Sequence, residues 1–366
     1  MRASDILRKV LGRFTDQIHA ARFAAVLAAV DGIVRGGRAS LTEIGRSLDS
    51  PTTAKHRIKR VDRLLGNPLL QRESTTWFRA LIQSLGLQRL VLLVDWTHLH
   101  GPWQSLSAAA AFSGRALPLF HQVHRSPGNG NYRIYARFLR GLRALFPDGD
   151  SPVLVVDAGF CSSFFDACLE YGFDFIVRLR GRGRLRSHDC YLKASDALKS
   201  AGSRPRRLGC FAVYDSLRKG QTLNVVLAAK PRARLRSGDP YYRKRALTPW
   251  ILATSLLDAS AEEVIALYAT RMQIEETFRD VKNPRFGWSL SHAGNRCPKR
   301  LEVLLLITTL ALVVVMLLGV AAEASNCARF LQANTLRRRR VLSVFRLGTL
   351  IFNDLIARRK TLKLNV

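Results

Sequence analysis

Residues 303–322, VLLLITTLALVVVMLLGVAA, form a run of twenty residues without a charged side chain. A helix of this length is apolar on every side and long enough to cross a bilayer. It must therefore lie either in a membrane or at the centre of a domain large enough to surround it. Its flanks, Lys299 and Arg300 before and Glu323 after, favour a membrane only weakly. We expect a buried core helix and keep the membrane span as the alternative.

The composition points to a polyanionic partner. The 366 residues are 48% hydrophobic, which is enough for two or three packed domains, but 58 Lys and Arg face 27 Asp and Glu. A formal charge of +31 makes the chain repel itself unless it meets a polyanion. DNA or RNA is the leading partner, and an anionic membrane surface is the alternative.

Cysteine and histidine usage gives no sign of disulfides or zinc. The six cysteines include no C-x-x-C pair, and residues 1–30 predict an amphipathic helix rather than a secretion signal. We therefore expect reduced thiols and a cytoplasmic protein. The four histidines that follow strand-like segments lack a cysteine or acid at ligand spacing. They are His98, His100, His121 and His124.

Residues 1–86 predict helices. Ser40 and Glu43 form a capping box for a short helix, a break follows at 49–51, and a second helix is basic. Its basic residues are Lys55, Arg57, Lys59, Arg60 and Arg63. A helix, a break and a basic helix are typical of a DNA-binding helix-turn-helix, although an ordinary helical pair with an exposed basic face is the alternative.

From residue 89 the pattern changes to strands. LVLLVDWT predicts a buried strand that ends in Asp95 and Thr97, and two further strands join at Ser113-Gly114. A basic amphipathic helix over 131–146 then precedes PVLVVDAGF, a second buried strand that ends in Asp157. This order of elements, three strands followed by a helix and a strand, is that of a ribonuclease H-like core. Because ligand sites lie at the carboxyl ends of such strands, we expect the two aspartates to converge.

After a helix near 162–171, FDFIVRLR predicts another strand, and WILATSL returns to strand after a β-rich stretch. Ser260 and Glu263 then cap a helix that includes YATRMQIEETFRDVK. On one continuous helix, four of its residues form a single polar stripe beside an apolar one, while Glu276 points away. The four are Tyr268, Arg271, Glu275 and Lys282. A solvated face with ion pairs is the alternative.

Asp95, Asp157 and Glu275 together supply the oxygen ligands that Mg²⁺ prefers. Two such ions about 4 Å apart can hold the attacking and leaving oxygens of a phosphoryl transfer. Each strand-end aspartate taken alone would be unremarkable.

The spacing Tyr268-x2-Arg271-x3-Glu275-x6-Lys282 matches the YREK signature of bacterial insertion-sequence transposases of the insertion-sequence-four type, which carry a DDE triad. The chain resembles this family from about residue 40 to 322. VDWT resembles the family's first aspartate strand, and VVDAGF resembles its second. Many relatives place Arg after the second Asp, where this chain has Ala158.

The resemblance implies a cut-and-paste DNA transposase whose Asp95, Asp157 and Glu275 hold two Mg²⁺ ions, for which Mn²⁺ could substitute. It implies that Tyr268, Arg271 and Lys282 grip phosphates around a flipped nucleotide, on whose base Trp250 stacks. The expected partners are double-stranded DNA at the transposon ends and the target, and a second copy in a homodimeric synaptic complex. We expect a bacterial, nucleoid-associated protein with no membrane association. The alternatives are a stand-alone Mg²⁺-dependent endonuclease and a non-catalytic or domesticated DNA-binding regulator.

The run RLRGRGRLR places arginines at alternate positions from residue 178 to 186. If the run is extended, all five project to one side and suit a DNA backbone, with a solvated edge strand as the alternative. The five are Arg178, Arg180, Arg182, Arg184 and Arg186.

The fold class we expect is α/β, with a ribonuclease H-like mixed sheet flanked by helices, interrupted by a β-rich insertion and preceded by a helical DNA-binding domain. Five segments follow from the pattern. They are 1–86 (helical DNA-binding domain), 87–183 (first part of the catalytic domain), 184–249 (insertion), 250–322 (second part, with the catalytic-Glu helix) and 323–366 (basic C-terminal helical segment).

Overall fold

The computed structural model describes most of the chain. The described residues are 2–12, 16–86, 90–146, 151–181, 183–187, 191–202, 204–213, 222–228, 249–332 and 340–358, with side chains to 355 in the last range. The helices are α1 Ala3–Leu11, α2 Ala20–Gly36, α3 Leu41–Arg46, α4 Ala54–Leu65, α5 Pro68–Ser84, α6 Tyr132–Arg143, α7 Ser162–Glu170, α8 Ala194–Lys199, α9 Ala261–Ala269, α10 Met272–Lys282, α11 Pro298–Ala324, α12 Ala328–Leu331 and α13 Val344–Arg358. The strands are β1 Val91–His100, β2 Trp103–Phe112, β3 Arg115–Arg125, β4 Val153–Val156, β5 Asp174–Arg178, β6 Arg184–Arg186, β7 Tyr191–Lys193, β8 Arg206–Phe211, β9 Leu223–Ala228 and β10 Trp250–Thr254.

Eight strands form one mixed sheet in the order β3-β2-β1-β4-β5-β10-β9-β8. β1, β4 and β5 are parallel to one another, and the other neighbours are antiparallel. Leu92, Leu93 and Val94 of β1 are almost fully buried, because the strand is central and both of its faces are covered. The predicted mixed α/β architecture with flanking helices is therefore confirmed, and so are the predicted strands before Asp95 and Asp157.

The β-rich stretch is less separate than the sequence suggests. β8 and β9 lie within 184–249, and they pair with each other and with β10, so they extend the main sheet. A second sheet contains β6 and β7. Residues 214–221 and 229–248 of the predicted insertion lie outside the described residues.

The apolar run 303–322 lies within α11, as expected for a core helix. Among the described residues, α11 is the one helix long and apolar enough to cross a bilayer, and 83% of its most apolar window is buried inside the protein. Its crossing with α13 is very close, because a Cβ on Gly319 would lie 2.0 Å from the Val344 carbonyl oxygen. A glycine is required at this crossing.

The N-terminal helices contain the predicted helix, break and basic helix as α3, residues 47–53 and α4. The two helices touch where a Cβ on Gly45 would lie 2.6 Å from the Ile58 Cα. Arg57 does not belong to the exposed basic face, because its guanidinium donates to the carbonyls of Leu48 and Ser50. The remaining basic residues of α4 are exposed. They are Lys55, Lys59, Arg60 and Arg63.

One cap differs from its prediction. The Ser40 hydroxyl accepts from the Glu43 amide at 3.4 Å, but the Glu43 carboxylate pairs with Arg46 at 2.6 Å. Only the serine half of that box therefore forms. At the start of α9 both halves form, as predicted, between Ser260 and Glu263.

The single helix predicted over 268–282 is wrong, because the chain breaks between α9 and α10 at Thr270 and Arg271. The Arg271 amide bonds to the Tyr268 carbonyl three residues back, and the Thr270 hydroxyl donates to the Leu267 carbonyl at 2.7 Å. Local side-chain bonding of this kind competes with the regular helix ladder. Tyr268 therefore belongs to one helix, and Glu275 and Lys282 belong to the next.

The arginine run is not one continuous strand either. β5 ends at Arg178, and a turn follows in which the Gly183 amide bonds to the Arg180 carbonyl at 2.9 Å. Arg184 and Arg186 lie after this turn on β6, and Arg182 lies outside the described residues. The glycines between the arginines allow the chain to turn, so the four described arginines do not form one ribbon.

Candidate active site

The two strand-end aspartates are neighbours across the sheet. Val94 pairs with Val156 in the parallel ladder; Asp95 is the next residue on β1, and Asp157 directly follows β4. Each carboxylate is held by a backbone amide, since Oδ1 of Asp95 accepts from Trp96 and Oδ1 of Asp157 accepts from Gly159, both at 2.8 Å. The expected convergence of these acids at one edge is present.

Gly159 makes the second of these turns possible. A Cβ at this position would lie 2.8 Å from Oδ1 of Asp157, which is closer than a carbon and an oxygen can pack. Any larger residue would push the carboxylate away from the amide that orients it.

Helix α10 brings Glu275 to the same edge. Two contacts fasten this helix to the sheet: the Thr277 hydroxyl bonds to both backbone groups of Ala116 on β3, and Lys282 Nζ donates to Oγ1 of Thr97 at 2.8 Å. Thr97 lies two residues beyond Asp95 on β1. The helix therefore crosses the ribbon of β1, β2 and β3 beside the first aspartate.

The other two acids of the predicted triad affect the ionisation of Asp95. The pKa of Asp95 is raised to about 7, mainly by burial and then by repulsion from the carboxylates of Asp157 and Glu275, while Arg271 and the Trp96 amide oppose the rise. Asp157 follows the strand that pairs with β1, and Glu275 lines the same cleft as Asp95, so the three acids lie at one site.

A cleft of about 540 Å³ opens at this site. Its walls combine carboxylates, a lysine and apolar rings, and burial lowers the pKa of the Lys282 ammonium while Asp95 opposes that effect. The lining residues are Asp95, Trp96, Thr97, Glu275, Phe278, Arg279, Lys282 and Asn283. The cleft can hold an anionic group between the acids and Lys282.

Arg271 and Tyr268 lie beside the acids at the break between the helices. The Arg271 guanidinium, 15% exposed, pairs with Glu275 at 2.6 Å. The Tyr268 ring is buried, and burial raises the pKa of its hydroxyl, while Arg271 and Arg178 oppose the rise. The Trp250 ring meets the Tyr268 ring edge to face, with centroids 5.1 Å apart. Despite the break, the predicted aromatic and cationic residues remain adjacent.

Arg180 contacts the loop that follows the second aspartate. Its Nε donates to the Ala158 carbonyl at 2.7 Å, and its side chain is exposed. Ala158 is the position where the family resemblance leads one to expect an arginine. In this chain, a guanidinium reaches the same loop from residue 180.

Comparison with known families identifies the domain that contains this site. Residues 86–314, more than half of the chain, match the profile described as the transposase DDE domain. The chain belongs to this family. It is a transposase, an enzyme that acts on DNA in DNA transposition.

The other comparisons add less. No curated protein matches the transposase sequence. A cryo-EM structure of the piggyBac transposase synaptic complex with hairpin DNA is similar over 99% of this chain and 80% of its own, at 13% identity and a TM-score of 0.42. A likeness this distant carries no argument about individual residues.

The carboxylate oxygens of the transposase site are suitable ligands for a hard divalent cation. In this structure, however, the three acids are not positioned to coordinate one ion together. Among the residues that the structure describes, no group of three or more His, Cys, Asp or Glu is positioned to hold a metal ion. Glu275 is engaged by Arg271, and Asp95 and Asp157 are engaged by backbone amides. Burial and repulsion from Asp157 and Glu275 raise the pKa of Asp95, so a bound cation would offset the repulsion among these carboxylates.

Thr277 is a residue of the transposase that sequence reasoning missed. It lies three residues after Ile274 and four before Val281, both of which are buried, so it occupies the apolar row of α10. A hydroxyl in a buried helical row requires a hydrogen-bonding partner, which is the signal that could have drawn attention to it.

Proposed function

We propose that the transposase is a DDE enzyme of the insertion-sequence-four type that cleaves transposon-end DNA and joins the freed 3′-hydroxyl to target DNA. The observation that carries this proposal is that Asp95 and Asp157 lie at the ends of two paired parallel strands while Glu275 lines the same cleft as Asp95. The YREK spacing supports the same family, although its residues lie on two helices.

Asp95, Asp157 and Glu275 would hold two Mg²⁺ ions, or Mn²⁺ in their place. When bound, such ions supply positive charge that polarises a phosphate and favours an ionised nucleophile. The amide of Trp96 orients the Asp95 carboxylate, and the amide of Gly159 orients the Asp157 carboxylate. To bind a metal ion, Glu275 would have to break its ion pair with Arg271.

The basic and aromatic residues around the acids have roles in binding DNA. Lys282, held by Thr97 at the wall of the cleft, contacts a phosphate beside the acids. Arg271 and Tyr268 grip phosphates around a nucleotide turned out of the duplex, and Trp250 stacks on its base. Arg178 and Arg180 contact the backbone of the same DNA at the end of β5.

The order β3-β2-β1-β4-β5, with β2 antiparallel to its neighbours, supports a ribonuclease H-like core. The exposed basic face of α4 supports a DNA-binding role for the N-terminal helices. The substrates are duplex DNA at the element's ends and at the target, bound by a homodimer in the cytoplasm of a bacterium, without membrane association.

The test uses two adjacent glutamates. In Mg²⁺, purified protein should nick DNA that carries the ends of the element encoding it, and Glu275→Gln should abolish nicking while end binding persists. Glu276→Gln is the matched control, since Glu276 pairs with Arg279 and Arg115 outside the acid cluster. Asp95→Asn and Asp157→Asn should behave like Glu275→Gln.

Three results count against the proposal. Equal nicking by Glu275→Gln and wild type removes Glu275 from the ligand set. Cleavage of any duplex with no strand joining indicates a stand-alone endonuclease. Specific end binding without cleavage in Mg²⁺ or Mn²⁺ indicates a DNA-binding regulator.

A further inference from the structure

Helix α6 presents a row of arginines to solvent. Arg133, Arg137 and Arg140 are all exposed, at spacings of four and three residues. At about 100° per residue the three side chains fall within an arc of about 60°, so they form one line along the helix. We call these three residues the α6 arginine row.

The opposite face of α6 is fixed in the core. Tyr135, Phe138, Leu139 and Leu142 are fully buried there. A basic amphipathic helix that binds a lipid surface inserts its apolar face, and this one has no apolar face to offer. Only the cationic side of α6 is accessible to a partner.

Within the described part of the chain, no ion pair neutralises the charges of the row. Among the residues that the structure describes, no carboxylate lies within ion-pair distance of Arg133, Arg137 or Arg140. Glu170 on the adjacent α7 bonds to the Tyr132 hydroxyl instead. Three uncompensated guanidinium groups in a line attract a partner with regularly spaced negative charge.

The row begins next to the active site. The turn before α6 is tied to the loop after Asp157, because the Asn129 amide group donates to the Gly159 carbonyl at 3.3 Å. Arg180 contacts the same loop through Ala158. Arg133 therefore lies at the end of α6 nearest the catalytic edge, and Arg137 and Arg140 lead away from it.

We infer that the α6 arginine row binds the phosphate backbone of duplex DNA where the duplex leaves the active site. From Arg133 to Arg140 the helix rises about 10.5 Å, which corresponds to about three base steps of one DNA strand. Guanidinium groups suit phosphates because their donors form a planar fork. This inference rests on the proposed function, since it needs DNA at the catalytic edge.

The test compares two triple variants that remove the same charge. Arg133→Gln/Arg137→Gln/Arg140→Gln removes the row, and Lys199→Gln/Arg206→Gln/Arg207→Gln removes three exposed cations near the opposite edge of the sheet. Binding of fluorescent duplex DNA carrying the element's ends is measured by anisotropy from low to high salt, and thermal melting checks folding.

Each backbone contact contributes about 0.9 to the slope of log affinity against log salt, so loss of the row should reduce the slope by about 2.7. The control triple should reduce it by less than one. If the two triple variants show equal salt dependence of DNA affinity, the inference about the row is wrong, but the proposed active site is not affected. If wild-type protein binds the duplex with no salt dependence, the proposed function itself fails.

Discussion

The hydroxyl of Thr277 bonds to both backbone groups of one residue in the sheet. It accepts from the Ala116 amide at 2.7 Å and donates to the Ala116 carbonyl at 2.8 Å. β3 is the edge strand, so these two groups face away from β2 and have no ladder partner there. Thr277 thereby completes the edge of the sheet and sets where α10, which carries Glu275 two residues earlier, crosses it.

Thr277→Val should destabilise the protein and reduce cleavage. Valine keeps the shape of the side chain but leaves a buried amide and a buried carbonyl unpaired, at a cost of about 1–3 kcal/mol each. Urea unfolding should show a loss of about 2 kcal/mol or more, and the Mg²⁺ concentration for half-maximal cleavage should rise as Glu275 shifts.

Thr277→Ser keeps the hydroxyl and should restore the metal dependence. Thr308→Val is the control, because the Thr308 hydroxyl is also buried but donates to the Leu304 carbonyl of its own helix. If Thr277→Val matches wild type in metal dependence, the contact does not position Glu275.

Stability should fall as the pH drops from about 6.5 to about 4, in part because of His121. Burial lowers the pKa of His121 to about 4, although its bond to the Glu302 carbonyl opposes this. The folded protein therefore keeps this histidine neutral, while the unfolded chain protonates it near pH 6.5. Between pH 6.5 and 4 the unfolded state therefore binds more protons than the folded state. The contribution of neutral His121 to the free energy of unfolding is complete above pH 6.5. It is lost by about 1.4 kcal/mol for each pH unit as the pH falls toward 4.

The measurement is urea unfolding at several pH values for wild type and His121→Gln. The free energy of unfolding of the variant should depend less steeply on pH. Part of the dependence should remain because of His124, whose pKa is also lowered to about 4, mainly by burial. His56→Gln, at an exposed position, should leave the slope unchanged. An unchanged slope in His121→Gln would contradict a neutral, buried His121.

Trp250→Ala should damage the steps after the first nick more than the nick itself. The Trp250 ring packs edge to face on Tyr268 beside the acids. Extruding a base costs a few kcal/mol, which stacking on an aromatic ring offsets, and first-strand hydrolysis does not require extrusion. Nicked product should accumulate, and 2-aminopurine fluorescence at the terminal flanking position should rise with wild type but not with the variant.

Trp250→Phe retains a ring and should behave more like wild type than Trp250→Ala does. If the two steps slow equally in Trp250→Ala, the ring only supports the core around Tyr268.

Gly319→Ala should destabilise the crossing of α11 and α13. The new methyl group would lie 2.0 Å from the Val344 carbonyl oxygen, so the helices would have to move apart. Overpacking of this kind typically costs about 1–3 kcal/mol. Gly12→Ala is the matched control, because nothing lies within 4 Å of its Cβ position and its φ is negative. A denaturant midpoint for Gly319→Ala equal to that of Gly12→Ala would rule out this close crossing.

Much of the catalytic half could be predicted because its strands are strongly patterned. Apolar runs that end in Asp95 and Asp157 define central strands, and parallel pairing brings the ends of such strands to one edge. The buried helix over 303–322 follows from length and hydropathy in the same way. These features depend on burial, which is directly visible in the sequence as runs of apolar residues.

Features that depend on local competition could not be predicted. The break at Thr270 arises from one hydroxyl bonding to a carbonyl, and the turn after Arg180 arises from glycines that a strand pattern also tolerates. The pairing of β9 with β10 depends on contacts distant in sequence. Two residues of the stripe predicted over 268–282 nevertheless lie together, since Arg271 and Glu275 form an ion pair one turn apart across the boundary.

The central position of α11 has a consequence for how this chain can be divided. Its apolar side chains belong to one continuous core with residues of α1, α2 and α5 on one side and of the sheet on the other. A fragment that starts at residue 87 would expose part of that helix to water. The N-terminal helices therefore cover α11, and they cannot be exchanged as a free-standing module unless the replacement shields the same helix. Limited proteolysis near residue 87 should accordingly yield two pieces that stay associated.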